Sequence, residues 1–399
     1  MNTMRIAFLT NEFITATGTS GGLGTYLGRI TRALCEAGHA VEVFVASAGP
    51  AGTATVNGVL VHSVKIIAAD SFMRKAVNWV LVRLFGNLWS GPAASLNNAW
   101  YLSRALDARE RQACFDIVQS TNCGCCGLLV RRRTERPHVM RMSSKRDLWF
   151  AADGKKGAGF RLMSFLEKTA AKRADRVYAP SSFLAREFTN QWGIHTDVLR
   201  PPAFLDAQPA AVLPFSLPGR FMIHFGSFAP RKGSLVLAHA LPIVWQQAPD
   251  FSMVWCGTFA DAATQQECAR LFGPQASRIT LIGAQEKAVL YAVVRKAVAA
   301  VLPSRVDNLP NTVIESLLLD VPVIGTYGSS IDELVQDQAT GLLAANGSAE
   351  DLAAAILRAW RGHSVFNVSA ISRSTVFARM RPEAAIDNFL RLRFEDASV

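Results

Sequence analysis

The sequence predicts an α/β chain of two doubly wound, parallel-sheet halves, and two observations carry that expectation. An apolar strand pattern at residues 4–10, a helical pattern at about 22–37 and a second strand pattern at 40–46 make one βαβ unit. From residue 221 the alternation begins again, with strand patterns at 221–225, 251–256, 279–282, 298–302 and 321–325 and helices between them. A chain of 399 residues, half of them hydrophobic, is long enough for two cores. The proline pair Pro201-Pro202 and the Ala- and Pro-bearing stretch to Gly219 read as the linker. The expected domains are therefore 1–201 and 202–378.

Within the first half, Tyr26, Leu27, Ile30 and Leu34 share one helix face, and Gly38 is the stop signal. Short strands are expected at 115–119, 138–142 and 176–179, with helices at 167–173 and 127–133. The second of these ends in three arginines, which suit a helix C-terminus. Residues 66–106 mix Trp79, Leu84, Phe85 and Trp89 with Arg74, Lys75 and Arg83 in a helical pattern. Aromatic residues at this spacing are more often core than membrane contacts, although such a mixture also suits an anionic lipid surface. In the second half, residues 226–233 are expected as a loop and 234–247 as a helix.

Charge is unevenly divided. Residues 1–200 hold 26 Lys and Arg against 14 Asp and Glu, while 201–399 hold 16 against 17. The basic half therefore points to an anionic partner, with nucleic acid, an acidic membrane face and a phosphorylated substrate as candidates. Nucleic acid is disfavoured because no recognition module or zinc signature accompanies the charge. Seven cysteines, an odd number, suit a reducing cytoplasm. Cys123, Cys125 and Cys126 lack the second C-x-x-C of a zinc site and read as small buried residues. Neither a signal peptide nor a spanning apolar stretch is visible, so a cytoplasmic protein is expected.

The densest motif runs from Pro303 to Gly325, P-S-R-V-D-N-L-P-N-T-V-I-E-S-L-L-L-D-V-P-V-I-G. A helix is expected to start near Pro310, where the missing N–H is no loss. Its N-terminus would face Asn308 and Leu309, and a phosphate is the usual guest of such an end. Glu315 lies roughly 7.5 Å further along the helix axis. Asp307 and Glu315 would bracket a phosphate-bearing ligand, or else Asp307 caps the helix and Glu315 is a solvated face. On this stretch alone the two readings are evenly matched. Arg231-Lys232-Gly233 also stands before a helix, where two cations and a helix end would share an anion. Both motifs follow expected strand ends, at the carboxyl edge where open α/β sheets bind ligands. The glycine-rich loop at residues 17–28 allows close backbone approach to a ligand, or is a mobile surface loop; no acidic residue follows the second strand as a dinucleotide fingerprint would need.

In order, S-G-G-L-G, E-K-T-A-A-K-R-A-D-R-V-Y-A-P-S-S, F-G-S-F-A-P-R-K-G and the block from Pro303 to Leu343 resemble the retaining glycosyltransferases of family 4, the group 1 glycosyltransferases of the GT-B fold. The resemblance covers nearly the whole chain. Its most specific feature is the acidic pair separated by seven residues, kept here by Asp307 and Glu315. It implies two Rossmann-like domains facing across a cleft, with residues 379–399 crossing back to the first. It further implies that Gly21, Gly22 and Ser143 belong to the acceptor and phosphate loop region, and that Arg231 and Lys232 neutralise a donor pyrophosphate. Gly226, Asn308, Leu309, Pro310, Asn311 and Thr312 would line the donor, with amides from 308 to 311 offered to sugar and phosphate. Glu315 would hold ribose hydroxyls and Asp307 the transferred sugar. Three departures from the family pattern are visible: Asp307 is one methylene shorter than the commoner Glu, Ser143 stands at a frequent His position, and Ser329-Ser330 replace a Gly pair.

The implied reaction moves a sugar from a nucleotide diphosphate sugar to a glycan, lipid-linked or other hydroxyl acceptor with retention, in bacterial polysaccharide or envelope glycan synthesis. No Asp-x-Asp pair is present, and no metal or other cofactor is expected. A peripheral position on the cytoplasmic membrane face goes with the basic first half. The alternative is a catalytically impaired nucleotide-sugar-binding protein of the same fold.

Overall fold

The computed structural model describes residues 3–13, 21–66, 90–154, 158–206, 212–362, 366–369 and 375–393. The chain divides into two compact units, each α/β. The first comprises Met1–Leu148, Lys156–Pro202 and Met380–Val399, and the second Trp149–Lys155 and Ala203–Arg379.

The strands of the first unit are β1 (Arg5–Thr10), β2 (Ala40–Ser47), β3 (Gly52–Val56), β4 (Val59–Lys65), β5 (Ile117–Thr121), β6 (His138–Arg141), β7 (Arg176–Ala179) and β8 (Asp197–Val198). They form one sheet in the order β3-β4-β2-β1-β5-β6-β7-β8, parallel except for the β3/β4 hairpin. The central strands β1, β2 and β5 are buried along nearly their whole length, as strands covered on both faces are; β1 and β2 are mostly apolar, whereas β5 ends in the buried polar residues Gln119, Ser120 and Thr121. The helices are α1 (Gly22–Glu36), α2 (Ser90–Glu110), α3 (Arg146–Ala152), of which residues 149–152 belong to the second unit, α4 (Ala158–Arg173) and α5 (Ser182–Trp192). Ser181 caps α5 by accepting from the Leu184 amide, and Gly193 ends it in the left-handed region.

In the second unit β9 (Met222–Phe228), β10 (Met253–Phe259), β11 (Ile279–Ile282), β12 (Ala300–Val301), β13 (Val323–Thr326) and β14 (Gly341–Ala344) form an all-parallel sheet, ordered β11-β10-β9-β12-β13-β14. The strand order reverses between β9 and β12, which pair through Ile223 and Ala300. Such a reversal leaves a crevice at the strands' carboxyl ends, because successive crossovers depart to opposite sides there. Its helices are α6 (Ser234–Gln247), α7 (Ala262–Phe272), α8 (Lys287–Arg295), α9 (Asn311–Leu318), α10 (Ala349–Trp360) and the short α11 (Thr375–Ala378). Trp245, Trp255, Phe272 and Trp360 lie in its main core.

Helix α12 (Pro382–Arg391) belongs to the first unit. Its Ile386, Phe389 and Leu390 join the core of α1 and the central strands, and the Phe389 ring stacks on Phe8 at 5.9 Å.

Several expectations are corrected. Residues 127–133 are not helical: successive tight turns run from Asn122 to Val130, and Cys125 has φ 50°. The arginines there serve another purpose, since Arg131 pairs with Asp107 while Arg133 and Arg136 pair with Glu110 on α2. Gly226 lies within β9 and not in a loop, with φ 109°. The β3/β4 hairpin and β14 were not expected. Of the expected helical region at 66–106, residues 67–89 lie outside the described residues, as do 17–20 of the glycine-rich loop and 207–211 of the linker. No helix among the described residues is long and apolar enough to cross a membrane.

Replacing Phe389 by Ala removes a fully packed ring, and such truncations cost about 3 to 5 kcal/mol. Denaturant unfolding should show the first unit's transition moved by that amount; an unmoved midpoint would show that α12 is dispensable to the core.

Candidate active site

The turn after β9 carries Arg231 and Lys232 in a short 3-10 segment, Pro230–Lys232. Gly233 then adopts φ 76°, and a Cβ there would lie 1.9 Å from the Pro303 carbonyl oxygen. Only glycine lets this turn rest against the end of β12. The Arg305 amide donates to the Arg231 carbonyl at 2.8 Å, so the loops after β9 and β12 are joined backbone to backbone. Both stand at the switch point of the second sheet.

Across that junction Lys232 Nζ donates to Asp307 Oδ2 at 2.5 Å. Ser304 Oγ donates to the same oxygen at 3.0 Å, and the Asn308 amide to Oδ1 at 2.9 Å. Asp307 is only 6% exposed and does not cap the following helix. Pro310 occupies the cap position, so α9 begins one residue later than expected, at Asn311. Leu309, at φ 95°, donates its amide to Ser330 Oγ at 2.9 Å. The expectation that amides from 308 to 311 face a ligand is therefore narrowed, because those of Asn308 and Leu309 are engaged within the unit and Pro310 has none.

Glu315 is on α9, 1% exposed, and accepts from Lys287 Nζ at 2.6 Å. It is not a solvated face. Lys287 opens α8, after β11, so cation and carboxylate come from the carboxyl side of different strands. Thr312, on the first turn of α9, has its methyl 3.4 Å from where a Gly226 Cβ would lie. The donor-side residues expected from sequence, Gly226, Arg231, Lys232, Asp307 to Thr312 and Glu315, thus all lie in the second unit, on β9, α9 and the loops leading from β9 and β12.

Partners not expected from sequence complete this group. Asp153 accepts from the Arg231 amide at 2.9 Å and from its Nη1 at 3.1 Å, while the guanidinium lies 5.1 Å from the Trp149 ring centre. His224, in β9, is pushed down to about 4 by burial and is neutral at ordinary pH. Its Nδ1 donates to the Val301 carbonyl at 2.8 Å, which leaves Nε2 to accept from Ser234 Oγ at 3.1 Å and fixes the first residue of α6.

The remaining expected residues belong to the first unit. Gly21 caps α1, and its amide and that of Gly24 donate to Glu12 Oε1, so a carboxylate already sits on this helix end. Ser143 follows β6; its Oγ accepts from Arg141 Nη1 at 2.5 Å and Thr121 Oγ1 at 3.1 Å, and its amide donates to Asn122 Oδ1. Nearby, burial raises the Glu167 carboxyl to about 7 even though Arg146 donates to it at 2.6 Å. Burial likewise raises the thiols of Cys123, Cys125 and Cys126, making them poor nucleophiles.

Comparison with known proteins gives the family and the fold. Residues 21–202 match the model of the glycosyl transferase 4-like domain and residues 219–361 that of glycosyl transferases group 1. The chain belongs to the group 1 glycosyltransferases, and its fold is GT-B. An uncharacterized glycosyltransferase of Methanocaldococcus jannaschii is 23% identical over 59% of this chain and 61% of its own. The amylovoran biosynthesis glycosyltransferase AmsK of Erwinia amylovora is 27% identical over 34% of each chain. The matches thus span less than two thirds of either relative. Among solved structures, sucrose-phosphate synthase from Thermosynechococcus elongatus superposes with TM-score 0.71 at 18% identity over 98% of both chains. Anabaena HepE in complex with UDP and glucose gives 0.69 at 15% identity, over 98% of this chain and 99% of that one.

If Lys287 and Glu315 act as a pair, Lys287→Met should lower stability by about 1 to 3 kcal/mol, because it leaves a buried carboxylate short of a partner. Adding Glu315→Gln should recover most of that loss. Strictly additive losses in the double-mutant cycle would show that the two are uncoupled.

Proposed function

We propose that this protein is a retaining glycosyltransferase that uses a nucleotide diphosphate sugar, and the observation that carries the reading is the convergence of Lys232, Asp307 and the N-terminus of α9 on one sheet's switch point. Lys232, Arg231 and the helix end would take the donor diphosphate, with Glu315 on the ribose hydroxyls and Asp307 on the sugar. The Asn311–Leu318 helix would present its positive end where charge grows on the departing β-phosphate. HepE, a structural neighbour, binds UDP and glucose, which supports a nucleotide-sugar donor here. AmsK, a sequence relative, acts in amylovoran biosynthesis, which supports a polysaccharide or envelope glycan product.

In the proposed step the bond between the anomeric carbon and the β-phosphate oxygen breaks. The acceptor oxygen bonds to the same face of that carbon, and the acceptor's proton passes to the departing phosphate. No covalent sugar–enzyme intermediate is required. Asp307 supports this route, since a carboxylate already accepting three hydrogen bonds is a weakened nucleophile. Ser143, held by Arg141 and Thr121, suits substrate positioning and not acid–base work.

A thermal-shift screen of nucleoside diphosphates and nucleotide sugars should identify a stabilising donor. With that donor, Lys232→Ala and Glu315→Ala should each lower kcat/KM by one to three decades, equivalent to about 2 to 4 kcal/mol of transition-state stabilisation. Near-normal turnover in both variants would refute the site, and donor binding without turnover in the wild type would favour the catalytically impaired alternative.

The reaction is proposed to be metal-independent because cationic side chains take the role of a divalent ion and the sequence has no Asp-x-Asp pair. Activity should survive EDTA. Loss restored by Mg²⁺ or Mn²⁺ would contradict this reading.

The basic first half is proposed to hold the protein at an anionic membrane face, where a lipid-linked acceptor would be presented. Vesicle pelleting should show binding to anionic but not neutral lipid, lost at high salt. Equal, salt-independent pelleting with both vesicle types would contradict it.

A further inference from the structure

Arg141 is a buried cation whose surroundings differ from those of its peers. In the same unit, Arg136 is buried against Glu110 at 2.8 Å and Lys145 against Asp147 at 2.6 Å. Arg141, 5% exposed, has no carboxylate within ion-pair distance among the described residues. Its Nη1 donates to the Ser143 hydroxyl at 2.5 Å, and its guanidinium carbon lies 3.8 Å from the centre of the Tyr26 ring. The Tyr26 hydroxyl turns away, to Tyr178 and Gln119. Arg141 Nε is buried and makes no hydrogen bond.

A ring face and one hydroxyl do not replace the hydration that a guanidinium loses on burial. The remaining Nε and Nη2 donors form the edge of the fork that grips two oxygens of a phosphate or carboxylate at once. Arg141 ends β6, paired with Thr121 at the end of β5, and among the described residues Ser143 is the one hydrogen-bond partner of its guanidinium. Tyr26, on α1, comes one turn after Gly21 and Gly22.

We propose that Arg141 is a specificity-determining residue that receives an oxyanion carried by the acceptor substrate, so that the acceptor is a sugar or lipid bearing a phosphate, or a sugar bearing a carboxylate. The assignment of that anion to an acceptor rests on the glycosyltransferase reading. Arg141 is not a group that touches the reacting carbon; it holds the acceptor by its charge while Ser143 sets the orientation of the guanidinium.

Thermal unfolding with inorganic phosphate, and in a second arm with glucuronate, tests this without any donor, so a negative nucleotide screen and a negative result here are separate outcomes. Lys232→Met serves as the background, removing the competing response of the second unit. In that background at least one of the two anions should raise Tm, and a shift confined to phosphate or to glucuronate identifies the group. Adding Arg141→Met should weaken the apparent affinity by about tenfold or more. Arg141→Gln provides the same comparison if the Met variant does not fold. An anion response unchanged by Arg141 substitution, or no response to either anion with Arg141 intact, overturns the proposal.

Discussion

The contact between Gly233 and the Pro303 carbonyl is the constraint on which the second unit's site depends. A side chain at residue 233 would drive the turn after β9 away from the end of β12. With the turn seated, the Arg305 amide reaches the Arg231 carbonyl and Lys232 reaches Asp307. Two loops far apart in sequence thereby become one polar surface at the point where strand order reverses. The helices behind them complete it, since α9 starts directly after the Asp307 loop and places Glu315 against Lys287.

Cations and carboxylates in this surface are matched one to one: Lys232 with Asp307, Arg231 with Asp153, Lys287 with Glu315. Matching keeps buried charge tolerable in the ligand-free protein. A diphosphate would compete with Asp307 and Asp153 for the same cations, so donor affinity depends on exchanging one set of anions for another. The first unit follows a different pattern at its own strand ends. Glu12 sits on the N-terminus of α1, while Arg141 has no carboxylate within ion-pair distance among the described residues.

Much of this was legible in sequence where the signal was local. The βαβ pattern, the Arg-Lys-Gly turn and the spacing of Asp307 and Glu315 all lie within short windows, and period and spacing report them directly. The partners were not legible. Asp153 is 78 residues from Arg231 and Lys287 is 28 from Glu315, and nothing in either window marks them as a pair. The misplaced helix at 127–133 has the same origin: its arginines suit a helix end by local rules, but Asp107 and Glu110 on α2 claim Arg131 and Arg133, and Asp175 claims Arg132. Gly226 reads as a loop residue by composition, whereas β9 continues through it in register with β10.

Hydrogen–deuterium exchange tests the central claim most directly, that a nucleotide diphosphate binds at the switch point of the second sheet. With the nucleotide that stabilises the protein, amides at 231–234 and 311–315 should gain protection while those at 253–256 in β10 stay as they were. Protection confined to other segments, or none at 231–234 and 311–315, would contradict the account.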